Sequence, residues 1–209
     1  MPFPMNNIII ETTLGNLKAL YQALPQGAHS KKCNPVLNHL FIDAESFFAC
    51  DGRIAIEIAH HTEGIPADFK PVSIKSETIK NIIKLMRGKN DAKISFDIQG
   101  EKIEVSPVAL IAQDEDRRIP QYESAFPMLD EGEKPIDSIA TLAWDYYKRA
   151  TVAYGERHGG NCIDGVALMQ KKVKSLDHDD EDATRKYQKH VATFLYEEGF
   201  KMVVMPLRF

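Results

Sequence analysis

The sequence predicts an α+β fold in which helices accompany a meandering antiparallel sheet. Apolar residues recur at helical spacing in residues 14–24 and again in residues 76–87. Between and after these two segments lie runs of β-branched and aromatic residues, each of strand length and each bounded by a turn signal. Helices mixed with short, turn-linked strands in this way are typical of an α+β domain.

Residues 1–128 are predicted to follow the order β-α-β-β-β-α-β-β, with two helices in one full domain. Thr12 or Thr13 caps the first helix and Pro25 ends it, whereas Ser76 caps the second helix and Gly88 stops it. The strands of this domain are predicted at 7–11, 36–43, 47–50, 53–60, 92–98 and 102–112.

Residues 129–209 repeat the pattern over a shorter length, so we expect a second, smaller domain there. Its helix is predicted to end before Gly155, and its last two strands are predicted to turn at Glu198-Gly199. The strands of this part are predicted at 136–140, 164–170, 191–197 and 200–209. The charge-rich stretch 171–190 is expected to be solvated.

Length, charge and cysteine content narrow the class of protein. The 209 residues carry 26 basic and 30 acidic side chains, so the formal net charge of −4 excludes a uniformly basic protein that coats nucleic acid, although not a local basic face. The three cysteines form no CxxC pair, which favours a reduced cytoplasmic compartment. We expect neither a signal peptide nor a membrane span, because no segment has the required apolar length.

The second predicted helix carries a row of cations opposite its apolar face. Lys80, Lys84 and Arg87 are spaced i, i+4, i+7, and residues 73–89 contain five basic residues and one acidic residue. Such a row suits a phosphate backbone. An ordinary solvated helix face is the alternative.

Metal and catalytic patterns are weak. The carboxylate run 177–182 has the spacing of neither an EF-hand nor a zinc site, and the sequence contains no P-loop, GxSxG or GxGxxG motif. We therefore expect no enzyme, no metal and no cofactor. A metal-dependent enzyme that uses 177–182 is kept as an alternative.

The C-terminal segment 201–209 ends in apolar strand formers and a proline. Met205, Leu207 and Phe209 beside a sheet edge would form an apolar wall for a short peptide. A strand that only closes the core is the alternative.

Several segments, in the same order and at similar spacing, resemble the bacterial DNA polymerase III beta subunit, the sliding clamp. The resemblance to the clamp's middle domain lies in 47–58 (FFACDGRIAIEI), 71–105 and 116–127 (DRRIPQYESAFP). The resemblance to its last domain lies in 143–155 (AWDYYKRATVAYG), 165–170 (GVALMQ) and 203–209 (VVMPLRF). The resemblance implies clamp-like domains, complete in 1–128 and shortened in 129–209. Cys50 stands where the family has Thr, and the His before Arg53 is missing.

The resemblance implies a non-enzymatic processivity factor that tethers replication proteins to duplex DNA. Its expected partners are duplex DNA held by the phosphates, peptides of DNA polymerase and of the clamp loader, and further copies of itself, with no membrane. A clamp-derived module or decoy that binds these peptides without encircling DNA is the alternative. The source is left open between a cell and a phage.

The family's peptide pocket and DNA-facing positions can be carried over residue by residue. Leu37, Ile54 and Met205 would form an apolar floor, and Arg53 or Arg208 would hold polar groups of the peptide. The implied peptide-binding residues are Leu37, Cys50, Gly52, Arg53, Ile54, Pro127, Val203, Met205, Pro206, Leu207 and Arg208. The implied DNA-binding residues are Lys18, Lys80, Lys84, Arg87, Arg118, Lys148 and Arg149.

Overall fold

A computed structural model describes residues 7–25, 34–115, 117, 144–158, 169–172, 191–197 and 199–204. The helices are α1 (Leu14–Gln22), α2 (Ser76–Leu85) and α3 (Trp144–His158), with a 3-10 turn at Pro35–Asn38. The strands are β1 (Ile8–Thr13), β2 (His39–Ile42), β3 (Ser46–Cys50), β4 (Ile54–Ala59), β5 (Val72–Lys75), β6 (Lys93–Gln99), β7 (Lys102–Ser106), β8 (Leu110–Gln113), β9 (Met169–Lys172), β10 (Val191–Glu197) and β11 (Phe200–Val204).

These strands form two antiparallel sheets, which confirms the predicted α+β class. The first sheet has the order β1-β6-β7-β8, and the second has the order β5-β2-β3-β4-β11-β10-β9. In the second sheet β11 pairs with β4, so this sheet runs from the first half of the chain into the second half. The predicted boundary between 128 and 129 lies outside the described residues and stays a prediction.

The first half consists of two copies of one β-α-β-β-β unit. Repeat one is β1-α1-β2-β3-β4, and repeat two is β5-α2-β6-β7-β8. Each repeat places its first strand beside the second strand of the other, because β1 pairs with β6 and β5 pairs with β2. An approximate two-fold symmetry that interchanges the repeats therefore relates the two sheets.

The main core lies between the inner faces of the sheets and the helices. In β3, Phe47 and Ala49 belong to this core, whereas Phe48 is buried outside it. Because alternate side chains of a strand lie on opposite faces, Phe48 marks a second apolar layer on the outer face of the sheet. Phe41 of β2 lies beside it, with 6.4 Å between the ring centroids.

Local chemistry explains the elements that were predicted correctly. Thr13 caps α1, since its Oγ1 accepts a hydrogen bond of 3.2 Å from the Asn16 backbone N–H. Gly199 forms the turn between β10 and β11 with a φ of +66°. Of the second helix's predicted apolar face, Ile79 and Ile82 are fully buried.

Other predictions were wrong in their bounds or number. Residues 35–38 form a 3-10 turn, where Pro35 stands in the first turn, instead of the start of a strand. Strand β5 was not predicted, and the predicted strand 102–112 is two strands separated at Pro107. Helix α3 continues through Gly155 to His158.

The capping of α2 also differs from the prediction. The N-cap position belongs to Lys75, and Ser76 instead donates its hydroxyl to Asn38 Oδ1 at 2.5 Å. The helix ends at Leu85, before Gly88. The predicted strand 136–140 and most of 164–170 and 171–190 lie outside the described residues. Within the described ranges, no helix has the length and apolarity needed to cross a membrane.

Candidate functional site

The turn between β3 and β4 is built by Asp51 and Gly52. Asp51 Oδ1 accepts hydrogen bonds of 2.9 Å from the backbone N–H groups of Arg53 and Ile54. Gly52 has a φ of +86°, which a residue with a side chain adopts only with strain. The Asp-Gly pair noted in the sequence therefore fixes the shape of this turn.

Several predicted peptide-binding residues meet around this turn. A Cβ atom at Gly52 would lie 3.5 Å from Leu37 Cδ1, so the half-buried Leu37 packs directly over the glycine. Cys50 is partly exposed and Arg53 is exposed at the same turn. Leu37, Cys50, Gly52 and Arg53 thus lie together at this turn, and their predicted role in peptide binding stays a prediction.

The strand register extends this cluster across the sheet. Cys50 pairs with Ala55, and Ala55 pairs with Val203, so the three form a row across β3, β4 and β11. The row lies on the outer face, because Ile54 and Val204 on either side of it belong to the main core. We call Leu37, Gly52 and this row the turn cluster.

Ile54 does not belong to the turn cluster. It is fully buried in the main core, on the opposite face from Val203. The predicted place of Ile54 on the pocket floor does not fit this geometry, and Ala55 occupies that face instead. Pro127 and the tail residues Met205, Pro206, Leu207 and Arg208 lie outside the described residues, and their predicted roles stay predictions.

Three of the predicted DNA-binding residues form an exposed row on and just after α2. Lys80, Lys84 and Arg87 are all exposed, and none of them has an ion-pair partner in the part of the chain that the structure describes. The described acidic side chains therefore do not neutralise these cations. We call Lys80, Lys84 and Arg87 the α2 row.

Lys18 and Arg149 are engaged inside the protein. Lys18 Nζ lies 3.2 Å from a Glu156 carboxylate oxygen and donates to Asn90 Oδ1 at 2.9 Å. Arg149 pairs with Asp51 and donates to the backbone carbonyl groups of Gln22 and Leu24.

Lys18 thus joins α1 to α3, and Arg149 joins α3 to the end of α1. The sequence did not indicate these partners, because they are distant in the chain. Arg118 and the side chain of Lys148 lie outside what the structure describes.

Burial shifts the pKa of two histidines, and a hydrogen bond shifts the pKa of one carboxyl group. Burial lowers the pKa of His39 and of His60 below the ordinary value of 6.5. A hydrogen bond from Lys75 lowers the pKa of Glu115. In the described ranges, no group of three or more His, Cys, Asp or Glu side chains is placed to hold a metal ion.

Comparison with known proteins identifies the fold. No protein-family model matches the chain, and no curated protein matches it in sequence. Solved structures match over the whole chain. A putative DNA polymerase III beta subunit from Eubacterium rectale has a TM-score of 0.58 at 13% identity, with 100% of this chain and 67% of that chain covered. The DNA polymerase sliding clamp from Pseudomonas aeruginosa has a TM-score of 0.54 at 12% identity, with 100% and 69% covered.

A third structure agrees with these two. The beta sliding clamp of C. crescentus has a TM-score of 0.52 at 16% identity, with 100% of this chain and 68% of that chain covered. The chain therefore has the sliding-clamp fold and spans about two thirds of the length of these clamps.

Proposed function

We propose that this protein is a sliding-clamp-like processivity factor that holds replication proteins on duplex DNA and catalyses no reaction itself. The observation that carries the proposal is the pairing of β4 with β11. It joins the two halves of the chain into one continuous sheet, with α1 packed against α3. Units joined edge to edge in this way can extend into a curved assembly with helices on one side.

The α2 row supports contact with DNA. Three exposed cations that have no ion-pair partner among the described residues, in an acidic protein, are suited to phosphates and not to the reading of bases. Lys18 and Arg149 are left out of the proposed contact set because their charges are already paired.

The turn cluster supports peptide binding. It places the half-buried side chain of Leu37 beside the exposed cation of Arg53, next to the buried Ala55 and Val203 of the same sheet face. A short extended peptide with an apolar anchor and a carboxylate matches this combination. The tail 205–209 follows β11 directly, and in our proposal it supplies the outer wall.

Retention on circular DNA tests the clamp function. The full chain is loaded onto a nicked circular plasmid with a clamp loader, and the plasmid is isolated by gel filtration in high salt. We expect the protein to stay with the circle and to leave once the plasmid is made linear. Equal loss from circular and linear DNA would contradict a topological link.

Truncation of the tail tests the peptide groove. Removal of residues 206–209 should weaken a fluorescently labelled clamp-binding peptide by about 2 kcal/mol or more, because the proposed wall is lost. Circular dichroism of the variant should stay that of the full chain. Equal fluorescence-polarisation affinities for both proteins would show that the tail is structural.

A second candidate function is a peptide-binding module that does not encircle DNA. One observation favours it: Lys18 and Arg149 are paired inside the protein. Among the described residues that were predicted to bind DNA, only the α2 row then has cations without an ion-pair partner. Light scattering separates the candidates. A closed oligomer supports the clamp, whereas a monomer at high protein concentration supports the module.

A further inference from the structure

The 3-10 turn before β2 orients Leu37 of the turn cluster through the two peptide planes that precede this residue. Asn34 holds the N–H groups of both planes, since its carbonyl oxygen accepts from Leu37 at 2.9 Å and its Oδ1 accepts from Val36 at 3.1 Å. His39 holds their carbonyl groups, since its Nδ1 lies 3.1 Å from the oxygen of Pro35 and 3.2 Å from that of Val36. Each plane is therefore fixed at both ends, by Asn34 on one side and His39 on the other.

These contacts define the form of His39 that holds the turn. A carbonyl oxygen can only accept a hydrogen bond, so His39 Nδ1 carries the proton and donates to both oxygens. The side chain is 3% exposed, and the ring centroid of Phe41 lies 6.3 Å from that of the imidazole. His39 Nε2 is buried and has no hydrogen-bond partner among the described residues. The neutral imidazole is therefore the form that fits this position.

The charged groups around His39 do not offset its burial. Lys75 of β5 pairs with His39 in the strand register, and its ammonium lies 2.6 Å from a carboxylate oxygen of Glu115. The charge of Glu115 raises the pKa of His39 and that of Arg117 lowers it, but burial has the largest effect and lowers the pKa. A proton on Nε2 would bury a charge without an acceptor. The ring avoids this cost by leaving its position, which breaks both hydrogen bonds to the turn.

We propose that His39 is a positioning residue for the turn cluster, and that it fixes Leu37 over Gly52 where a peptide contacts this side chain. The fit is close, because a Cβ atom at Gly52 would lie only 3.5 Å from Leu37 Cδ1. A rotation of the peptide plane in front of Leu37 therefore changes the surface that the peptide meets. The inference rests on the proposed peptide binding. It adds a residue that contacts the backbone of the turn and is itself buried.

Two variants separate the hydrogen bonds of His39 from the bulk of its side chain. His39→Asn keeps an N–H donor at the δ position and cannot be protonated in this range of pH, whereas His39→Leu removes the donor. With a fluorescently labelled clamp-binding peptide at pH 7, His39→Leu should weaken binding at least about fivefold, and His39→Asn should stay within about twofold of the wild type. Wild-type affinity in His39→Leu, or no recovery in His39→Asn, would overturn the proposal.

The pH profile is a readout that a residue needed only for stability would not move. From pH 7 down to the onset of acid unfolding, the wild type should lose affinity for the peptide because protonated His39 releases the turn. His39→Asn should lose less affinity over the same range. Comparing the two proteins at each pH removes the contribution of the other titrating groups. Identical profiles would contradict the assignment.

His60→Leu is the matched control for stability. His60 is also a buried histidine, but it follows β4 at the end of the strand that is away from the turn cluster. The control should unfold at lower urea concentration than the wild type and should keep the wild-type affinity for the peptide. A loss of affinity as large as that of His39→Leu would assign the effect to general destabilisation.

The ¹³C methyl resonances of Leu37 test the inference without a peptide. Both His39→Leu and His39→Asn lack the imidazole ring, so a difference between their Leu37 resonances reports the hydrogen bonds to the turn. We expect the resonances of His39→Asn, and not those of His39→Leu, to match the spectrum of a fixed Leu37. A wild type that binds no peptide would end the proposed peptide binding and leave this test in force. Identical Leu37 resonances in the two variants would overturn the inference.

Discussion

Asp51 and Arg149 form a largely buried ion pair, with 2.5 Å between Asp51 Oδ2 and Arg149 Nη1. Their side chains are 6% and 19% exposed. Asp51 also shapes the β3–β4 turn through the N–H groups of Arg53 and Ile54. One contact therefore connects α3, the end of α1 and the turn cluster.

Loss of Arg149 should be costly because it leaves the Asp51 carboxylate buried without its cation. Arg149→Met should lower the free energy of unfolding by about 3 kcal/mol in urea denaturation. The control is Lys201→Met, which breaks the more exposed pair with Glu57 and should cost less than about 1 kcal/mol. Similar losses in both variants would show that burial does not distinguish the two pairs.

The α2 row should set the salt dependence of DNA binding. Lys80→Glu with Lys84→Glu should make the plot of log K for DNA binding against log salt less steep by about 2 in slope, because two phosphate contacts are lost. Binding of wild type should be independent of base sequence. Lys93→Glu with Lys102→Glu changes the charge equally on the first sheet and should leave the slope unchanged. An unchanged slope in the α2 variant would exclude this row as a phosphate contact.

The edge at β8 should mediate self-association if the clamp proposal holds. In repeat one, β4 pairs with β11, but β8 of repeat two pairs only with β7 among the described strands. Ile111 of β8 and Leu85 of α2 are 60% and 57% exposed. Leu85→Asp with Ile111→Lys should therefore reduce the mass measured by light scattering to that of a monomer.

Ile9 provides the control for this edge. It is 52% exposed on β1, at the other side of the first sheet, and Ile9→Asp should keep the wild-type mass. A wild-type mass in the double variant would mean that copies meet elsewhere.

Acid should weaken the fold through His39 and His60. Both have a pKa below 6.5 in the folded state because of burial, so the unfolded chain binds more protons once the pH falls below about 6.5. The free energy of unfolding should then fall by up to about 1.4 kcal/mol per pH unit for each histidine, until the folded pKa is reached. Urea denaturation between pH 7 and pH 5 measures this slope.

Substitution identifies the histidines that cause this pH dependence of the free energy of unfolding. His39→Gln and His60→Gln should each reduce the slope, whereas His61→Gln, at an exposed position, should preserve it. A slope that persists when both buried histidines are replaced would assign the effect to other groups.

The sequence was sufficient where local chemistry decides the structure. Thr13, the Asp51-Gly52 turn and the final hairpin each carry their own signal, and α1 and α2 follow from apolar periodicity. The internal repeat was hidden, because β5 is only four residues long and runs directly into α2, and because Pro107 divides what looked like one strand. With those two elements missing, the identical order of the repeats could not be recognised.

The sequence did not determine which way the candidate site residues face. Alternation along β4 divides Ile54 from Ala55, but only packing decides which of the two faces the core. For Lys18 and Arg149, a cation on a helix has the same local pattern whether it faces DNA or a carboxylate from a distant segment. In the structure both cations pair with such a carboxylate, that of Glu156 for Lys18 and that of Asp51 for Arg149.

The pairing of β4 with β11 also determines when this sheet can be completed during synthesis of the chain. Residues 60–199 lie between the two strands, so a ribosome needs on the order of ten seconds or more to deliver β11 after β4 has emerged. During that interval β4, with its apolar Ile54, Ile56 and Ile58, is an uncovered strand edge open to pairing with any other nascent chain. Interrupted translation would therefore yield an aggregation-prone fragment. The amount of chaperone that the protein requires should rise with its rate of synthesis.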